Sequence, residues 1–271
     1  MQRPAVQIIQ DVKYGEVDGL PLFLDVVQPL ARNASPRPAV LEIHGGGWSA
    51  GEKEPQHVLR LALAGFFCVS INYRLSPQHF FPAHIHDCKA AVRWLRVHAS
   101  DLGVNPDRVG VWGGSAGGHL AALLGTSYDV PELEGNSGWP GVSARVQAVV
   151  SVCGASDFSQ ISNEHFAANP ISLFGGPPHQ HPELVQLANP IAHLRPDAPP
   201  FLLFHGDADE LSPYGQSVLL RDALKRVGVP AILHTAHGGK HGFTPVWEER
   251  IDDLRLAFFK KYLGDPQAPA S

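Results

Sequence analysis

Arg108-Val109-Gly110-Val111-Trp112-Gly113-Gly114-Ser115-Ala116-Gly117-Gly118-His119-Leu120-Ala121-Ala122-Leu123-Leu124 is the stretch that decides how this chain is read. A strand-like apolar run ends in a Gly-x-Ser-x-Gly pentapeptide, and a helix-like run of small and apolar residues follows. A serine on so tight a turn between strand and helix is lifted out of the sheet as an exposed nucleophile. The glycines are needed because such a turn leaves no room for Cβ atoms. The pentapeptide also arises by chance, so its weight depends on its companions.

One companion lies upstream, where the apolar run 40–43 leads into His44-Gly45-Gly46-Gly47-Trp48. Consecutive glycines leave backbone N–H groups uncovered and free to take unusual dihedrals. An oxyanion hole requires such fixed donors, aimed at the oxygen that becomes negative in a tetrahedral intermediate. Gly46 and Gly47 are the candidate donors, joined by Ala116 directly after the serine. The plainer alternative is a flexible loop.

Two more companions lie downstream. The apolar run 200–204 ends in His205-Gly206-Asp207-Ala208-Asp209, and the run 231–235 is followed by His237-Gly238-Gly239-Lys240-His241-Gly242-Phe243. The chain order is therefore serine, acid, histidine. A serine hydroxyl needs a base within hydrogen-bond reach, and an imidazole, ordinarily titrating near pH 6.5, takes and returns a proton around neutrality. His241 is the candidate base and Asp209 the acid that orients it. Asp207, two residues earlier, and Asp157, beyond the preceding strand, are rival acids. His237 and His241 have the spacing of an i, i+4 metal pair, but Gly238-Gly239 between them opposes a helix, so no metal site is expected. Asp87, within a helical pattern, is read as a partner of that helix's dipole. Trp48 and Phe243 flank candidate positions and are either walls of a substrate pocket or plain packing.

In these residues the chain resembles the hormone-sensitive-lipase-like group of α/β-hydrolase esterases, especially its bacterial carboxylesterase, acetyl-xylan and feruloyl esterase-like members. Further matching stretches are Asn72-Tyr73-Arg74-Leu75-Ser76-Pro77, Phe81-Pro82-Ala83 and Asp87-Cys88-Lys89-Ala90-Ala91-Val92-Arg93-Trp94-Leu95. All occur in the family's order, across about residues 11–263. Gly114 stands where lipase-like members carry Asp, which moves the resemblance toward the polysaccharide-deacetylating branch. The resemblance implies an α/β-hydrolase fold and a serine ester hydrolase acting through an acyl-enzyme on short-chain or acetyl/feruloyl-type esters. Its partners would be a small-molecule or acylated-carbohydrate ester and water, with no cofactor. An amidase, arylformamidase or peptidase shares the triad. A non-catalytic binding protein on this scaffold loses the histidine, whereas here every triad position is filled.

Composition sets the context. At 271 residues, with 44% hydrophobic and 17% charged residues, the chain suits one α/β domain with a large core. A formal net charge of −5 without a basic cluster argues against nucleic acid and anionic membranes. No apolar run reaches 18 residues, and residues 1–7 lack the apolar stretch of a secretory signal, so a cytoplasmic protein is expected. Cys68, Cys88 and Cys153 are read as reduced core residues.

Strand-like runs fall at 11–14, 22–27, 40–44, 66–72, 108–113, 146–153, 201–205 and 231–235; Asp18-Gly19 marks a hairpin between the first two. Helical patterns fall at 56–63, 84–98, 115–127, 215–227 and 246–262. This alternation predicts a mostly parallel eight-stranded sheet with an antiparallel N-terminal hairpin and helices on both faces. Ligands then bind beyond the carboxyl ends of the strands, where every motif above lies. The irregular segments 128–143 and 155–199 are expected to be lid or rim insertions. In the second, Phe158, Phe166, Leu173 and Phe174 either line a cleft or pack a short cap helix. Residues 265–271 read as a frayed tail.

Overall fold

A hairpin opens the sheet. Asp18 (φ 49°) and Gly19 (φ 81°) both take left-handed dihedrals and fold β1 (Val6–Val17) back on β2 (Leu20–Pro29). A two-residue turn with both φ values positive matches the twist of the strands it joins. The computed structural model describes residues 5–31, 35–160 and 169–266. β1 begins well before the expected residue 11. Its first half is exposed and lacks apolar alternation, yet Val6–Ile9 pairs with Pro29–Val26 through the backbone. A register shift follows at Asp11 (φ 56°), whose N–H donates to Asp25 Oδ1 at 2.9 Å. Such a bulge on an edge strand is invisible to a periodicity argument.

The rest of the chain alternates strand and helix. β3 (Arg37–Ile43), α1 (Leu59–Leu63), β4 (Phe67–Ile71), α2 (Ala83–Val97), α3 (Ala99–Leu102), β5 (Val104–Gly114) and α4 (Ala116–Thr126) form the first half. β6 (Ala148–Val152), α5 (Asn169–Phe174), α6 (Pro182–Ala188), β7 (Phe201–Gly206), α7 (Gly215–Arg226), β8 (Ala231–Ala236) and α8 (Pro245–Leu263) complete it. The sheet order is β1-β2-β4-β3-β5-β6-β7-β8, with β1/β2 and β2/β4 antiparallel and every later pair parallel. The helix expected over 56–63 is instead a 3₁₀ turn (Pro55–Val58) and the short α1, separated at Val58 (φ −111°, ψ 1°).

Every residue of β3, β4, β6 and β7 is buried, as a strand covered on both faces must be. Neighbouring residues divide between two cores because side chains alternate across a sheet. Leu41, Ile43 and Val111 join α2, α4 and α7 through Val92, Leu120 and Leu224. Val40, Val150 and Phe204 join α1 and α8 through Leu61 and Phe259. The fold is thus the mostly parallel, eight-stranded α/β arrangement with an antiparallel hairpin.

Residues 128–143 pack against the hairpin and α2. Glu16 N–H donates to Ser137 O (2.9 Å), Trp139 Nε1 to Tyr14 O (3.3 Å) and Arg93 Nε to Val142 O (3.0 Å). In the later segment, Phe158, Leu173 and Phe174 are core residues rather than cleft lining; Phe158 and Phe174 meet edge-on at 5.4 Å. Phe166 lies outside the described residues. The dipole reading of Asp87 is also corrected. It sits beyond the first turn of α2, fully buried, and accepts from Arg74 Nε and Nη2 (both 2.8 Å) and Ser137 Oγ (2.7 Å). A helix dipole acts within its first turn, so this carboxylate is a strut for the loop after β4. Among the described residues no helix is long and apolar enough to cross a membrane. Cys68, Cys88 and Cys153 are buried, free thiols.

Candidate active site

β5 ends at Gly114, and the chain turns into α4 through Ser115 (φ 55°, ψ −119°). A non-glycine residue pays strain for that conformation and holds it only where its surroundings over-determine it. Here they do. A Cβ at Gly117 would lie 2.0 Å from Ile43 O, and one at Gly113 would lie 2.4 Å from Gly117 O. Ser115 N–H donates to Val152 O at 2.7 Å, and His119 N–H to Ser115 O at 3.0 Å, tying the turn to β6 and starting the helix. Gly114, by contrast, has open space where a Cβ would point.

His241 follows β8 and Asp209 follows β7. His241 Nε2 lies 2.8 Å from Ser115 Oγ, and its Nδ1 lies 2.8 Å from Asp209 Oδ2. Both contacts are within the reach that nucleophile–base and base–orienter pairs need. The Asp209 side chain is completely buried, and its Oδ1 accepts N–H bonds from Leu211 (2.9 Å) and Ser212 (2.8 Å). Burial pushes its pKa up, but hydrogen bonds from His205, His241 and the Ser212 N–H outweigh burial and hold the carboxyl well below the usual carboxylate range.

The rivals lie elsewhere. Asp207 Oδ2 is 2.9 Å from Nδ1 of the exposed His237, and its Oδ1 accepts from Gly238 N–H (2.6 Å), so these two satisfy each other at the surface. Asp157 accepts from Asn189 Nδ2 (3.0 Å) and from Ser159.

Beneath Asp209, Cys153 and His205 bring their ligand-type atoms within 4.8 Å of one another and of the carboxylate. This trio has the donors of a metal site, but hydrogen bonds already use them. His205 Nε2 lies 2.9 Å from Ser212 O and 3.2 Å from Asp209 Oδ2, so that nitrogen carries the hydrogen, while Nδ1 accepts from Ser217 Oγ–H at 2.7 Å. Burial and the neighbouring Asp209 push the Cys153 thiol pKa up, away from the thiolate a metal requires.

The loop after β3 holds three successive left-handed residues, Gly46 (φ 110°), Gly47 (φ 59°) and Trp48 (φ 60°). A Cβ at Gly46 would lie 2.1 Å from Ala50 O. His44 braces the loop, stacking on Tyr73 at 4.3 Å, while Tyr73 O–H donates to His44 O at 3.1 Å. Gly46, Gly47, Trp48, Ser115, Ala116 and His241 line one cavity of about 380 Å³. Trp48, 2% exposed, is both packed and a wall. Phe243 instead lines a second hollow of about 250 Å³ that also reaches Ser115 and His241, between His57 and Trp112.

Leu211 and Ser212 also line the main cavity, and sequence reasoning did not single them out; Cys153, read from the sequence as a core residue, lines it as well. It also missed His205 and His119, although spacing marked both. His205 opens the motif that ends in Asp209, and His119 lies one helical turn after Ser115.

A protein-family model described as BD-FAE matches residues 24–224. The probable carboxylic ester hydrolase LipM of Mycobacterium tuberculosis is 34% identical over 235 residues, covering 83% of this chain and 53% of its own. Among solved structures, a truncated form of a carbohydrate esterase from gut microbiota superposes with a TM-score of 0.83 at 29% identity, covering 95% of this chain and 98% of its own. Thermogutta terrifontis esterase 2, phosphorylated by paraoxon, superposes with a TM-score of 0.79 at 26% identity, covering 96% and 95%. The chain spans about half the length of the curated relatives it matches.

Proposed function

The chain belongs to the BD-FAE family of α/β-hydrolase carboxylesterases, and from that membership we propose that it hydrolyses carboxylic esters through an acyl-enzyme on Ser115. One observation carries the reading. The 2.8 Å contacts from Ser115 to His241 and from His241 to Asp209 open onto the cavity lined by Gly46, Gly47 and Ala116.

In this reading His241 Nε2 takes the Ser115 hydroxyl proton as Oγ bonds to the ester carbon. The carbonyl oxygen becomes an oxyanion facing the N–H groups of Gly46, Gly47 and Ala116. The C–O bond to the alcohol then breaks, and His241 returns its proton to that oxygen. Water repeats the sequence on the acyl-enzyme, releasing the acid and restoring Ser115. Asp209 fixes the imidazole's tautomer and stabilises its positive charge between the two proton transfers. These steps draw on protein groups alone.

The substrate class proposed is a short-chain, acetyl or feruloyl-type ester of a small molecule or carbohydrate. The modest cavity and its buried Trp48 wall favour small acyl groups. Similarity to a carbohydrate esterase favours a sugar alcohol. Ala155, at the start of the proposed rim insertion, lines the cavity. A reducing compartment suits the three buried thiols, and the cytoplasm is the compartment proposed.

A fluorophosphonate probe tests the nucleophile. Wild type should be labelled and turn over p-nitrophenyl acetate, and Ser115→Ala should do neither. Labelling that persists in Ser115→Ala would assign the chemistry to another residue.

A further inference from the structure

His119 lies on α4 one turn beyond the nucleophile, fully buried, and only its backbone N–H meets Ser115, at the carbonyl oxygen rather than the reacting hydroxyl. Its side chain bridges two other parts of the molecule. Trp48 Nε1–H donates to His119 Nδ1 at 3.1 Å, and His119 Nε2–H donates to the Ala188 carbonyl, at the end of α6, at 2.8 Å. An indole nitrogen only donates and a carbonyl only accepts, so both ends require the same neutral tautomer. Burial lowers the pKa of this imidazole to about 4, which keeps it neutral at physiological pH. Phe158 packs edge-on against His119 (5.0 Å) and tilted against Trp48 (5.7 Å), closing the group on its remaining side.

The strand order says which part of a substrate Trp48 faces. Ser115 follows β5; the glycine loop and Trp48 follow β3 on one side, and His241 follows β8 on the other. The leaving alcohol must sit where His241 can return a proton, so the acyl group lies toward β3 and Trp48.

We propose that His119 is a positioning residue that pins the Trp48 indole as the end wall of the acyl site and so sets the preference for short acyl groups. The proposal rests on the acyl-enzyme reading of Ser115. Because Trp48 directly follows Gly46 and Gly47, the same hydrogen bond steadies the donors that face the oxyanion.

The test is a double-mutant cycle read as the ratio of kcat/KM for p-nitrophenyl butyrate to that for the acetate. His119→Ala and Trp48→Phe should each raise this ratio about tenfold, the scale of one buried hydrogen bond. The acetate loss should fall mainly in kcat, because the oxyanion donors loosen. The double variant should match Trp48→Phe, since without the indole N–H there is nothing left for His119 to hold. His119→Asn places a carbonyl oxygen near the Nδ1 position and should restore the wild-type ratio. Unchanged acyl ratios in both single variants, or fully additive effects in the double, would overturn the proposal. Should His119→Ala fail to fold, His119→Leu decides in its place, because it nearly keeps the side-chain volume and removes the acceptor for the indole N–H; an unchanged ratio there sinks the idea. Wild type without labelling or turnover would overturn the acyl-enzyme reading and this inference with it. Turnover with unmoved ratios overturns the inference alone.

Discussion

Asp209 is held from several directions: His241 and His205 reach one carboxylate oxygen, and the Leu211 and Ser212 N–H groups the other. Such a carboxylate cannot rotate away from the imidazole it orients. Asp209→Asn should therefore lower kcat by on the order of 10⁴ with the fold intact, because the amide offers the ring a donor and inverts its tautomer. Asp157→Asn should leave kcat near wild type, its hydrogen bonds running to Asn189 and Ser159. Steady-state kinetics on both variants checks the pair, and a collapse of kcat in Asp157→Asn would reverse the assignment. At this scale the sequence narrowed the acid to three candidates by their positions after strands. It put Asp209 first with Asp207 and Asp157 as rivals, and the contacts show why position alone left rivals: the three differ in which side chain turns toward His241 rather than toward His237 or Asn189.

The turn from β5 to α4 works as an element because backbone crowds backbone. Gly117 lies where a methyl group would meet the Ile43 carbonyl at 2.0 Å, whereas Gly114 faces open space. Gly117→Ala should cost at least about 1–3 kcal/mol and abolish probe labelling, since a carbonyl in a central strand cannot move aside. Gly114→Ala should unfold at nearly the wild-type denaturant midpoint. Equal midpoints for the two variants would show that the turn is not held by crowding. The Gly-x-Ser-x-Gly spelling marks the turn because its steric demand is local. The bulge at Asp11 and the break at Val58 left no such mark. A bulge is set by the partner strand's register, and a short helix by what it packs against.

Over the whole molecule, buried neutral histidines couple folding to acidity. Burial lowers the pKa of His119 to about 4 and of His84 to about 3, and it lowers His44, His86, His193 and His234 as well. The unfolded chain binds these protons near pH 6.5 while the folded chain refuses them. Their stabilisation is therefore complete above that pH and is lost as pH falls toward 4, on the order of 3 kcal/mol for His119. His57, raised chiefly by its hydrogen bond to Glu42, acts in the opposite sense. Asp209, held low, withdraws its share only at still lower pH. Calorimetry from pH 7 to pH 4 should show Tm falling steadily, and His119→Asn should flatten the slope. A level Tm across that range would mean these rings are hydrated and titrate normally. The same contrast between local and long-range causes runs through the protein. Alternating apolar runs, glycine-rich turns and the serine-acid-histidine order are properties of covalent neighbours, so the sequence alone determined the layered α/β class and a short roster of chemical groups. The sequence singled out His241 from 15 histidines and put Asp209 first among the acids, but that the two come within hydrogen-bond reach of Ser115 and of each other, and that His119 reaches Trp48 and Ala188, was decided only by tertiary structure. Those meetings depend on where the ends of β3, β5, β7 and β8 fall side by side in one sheet, and no local preference encodes that distance.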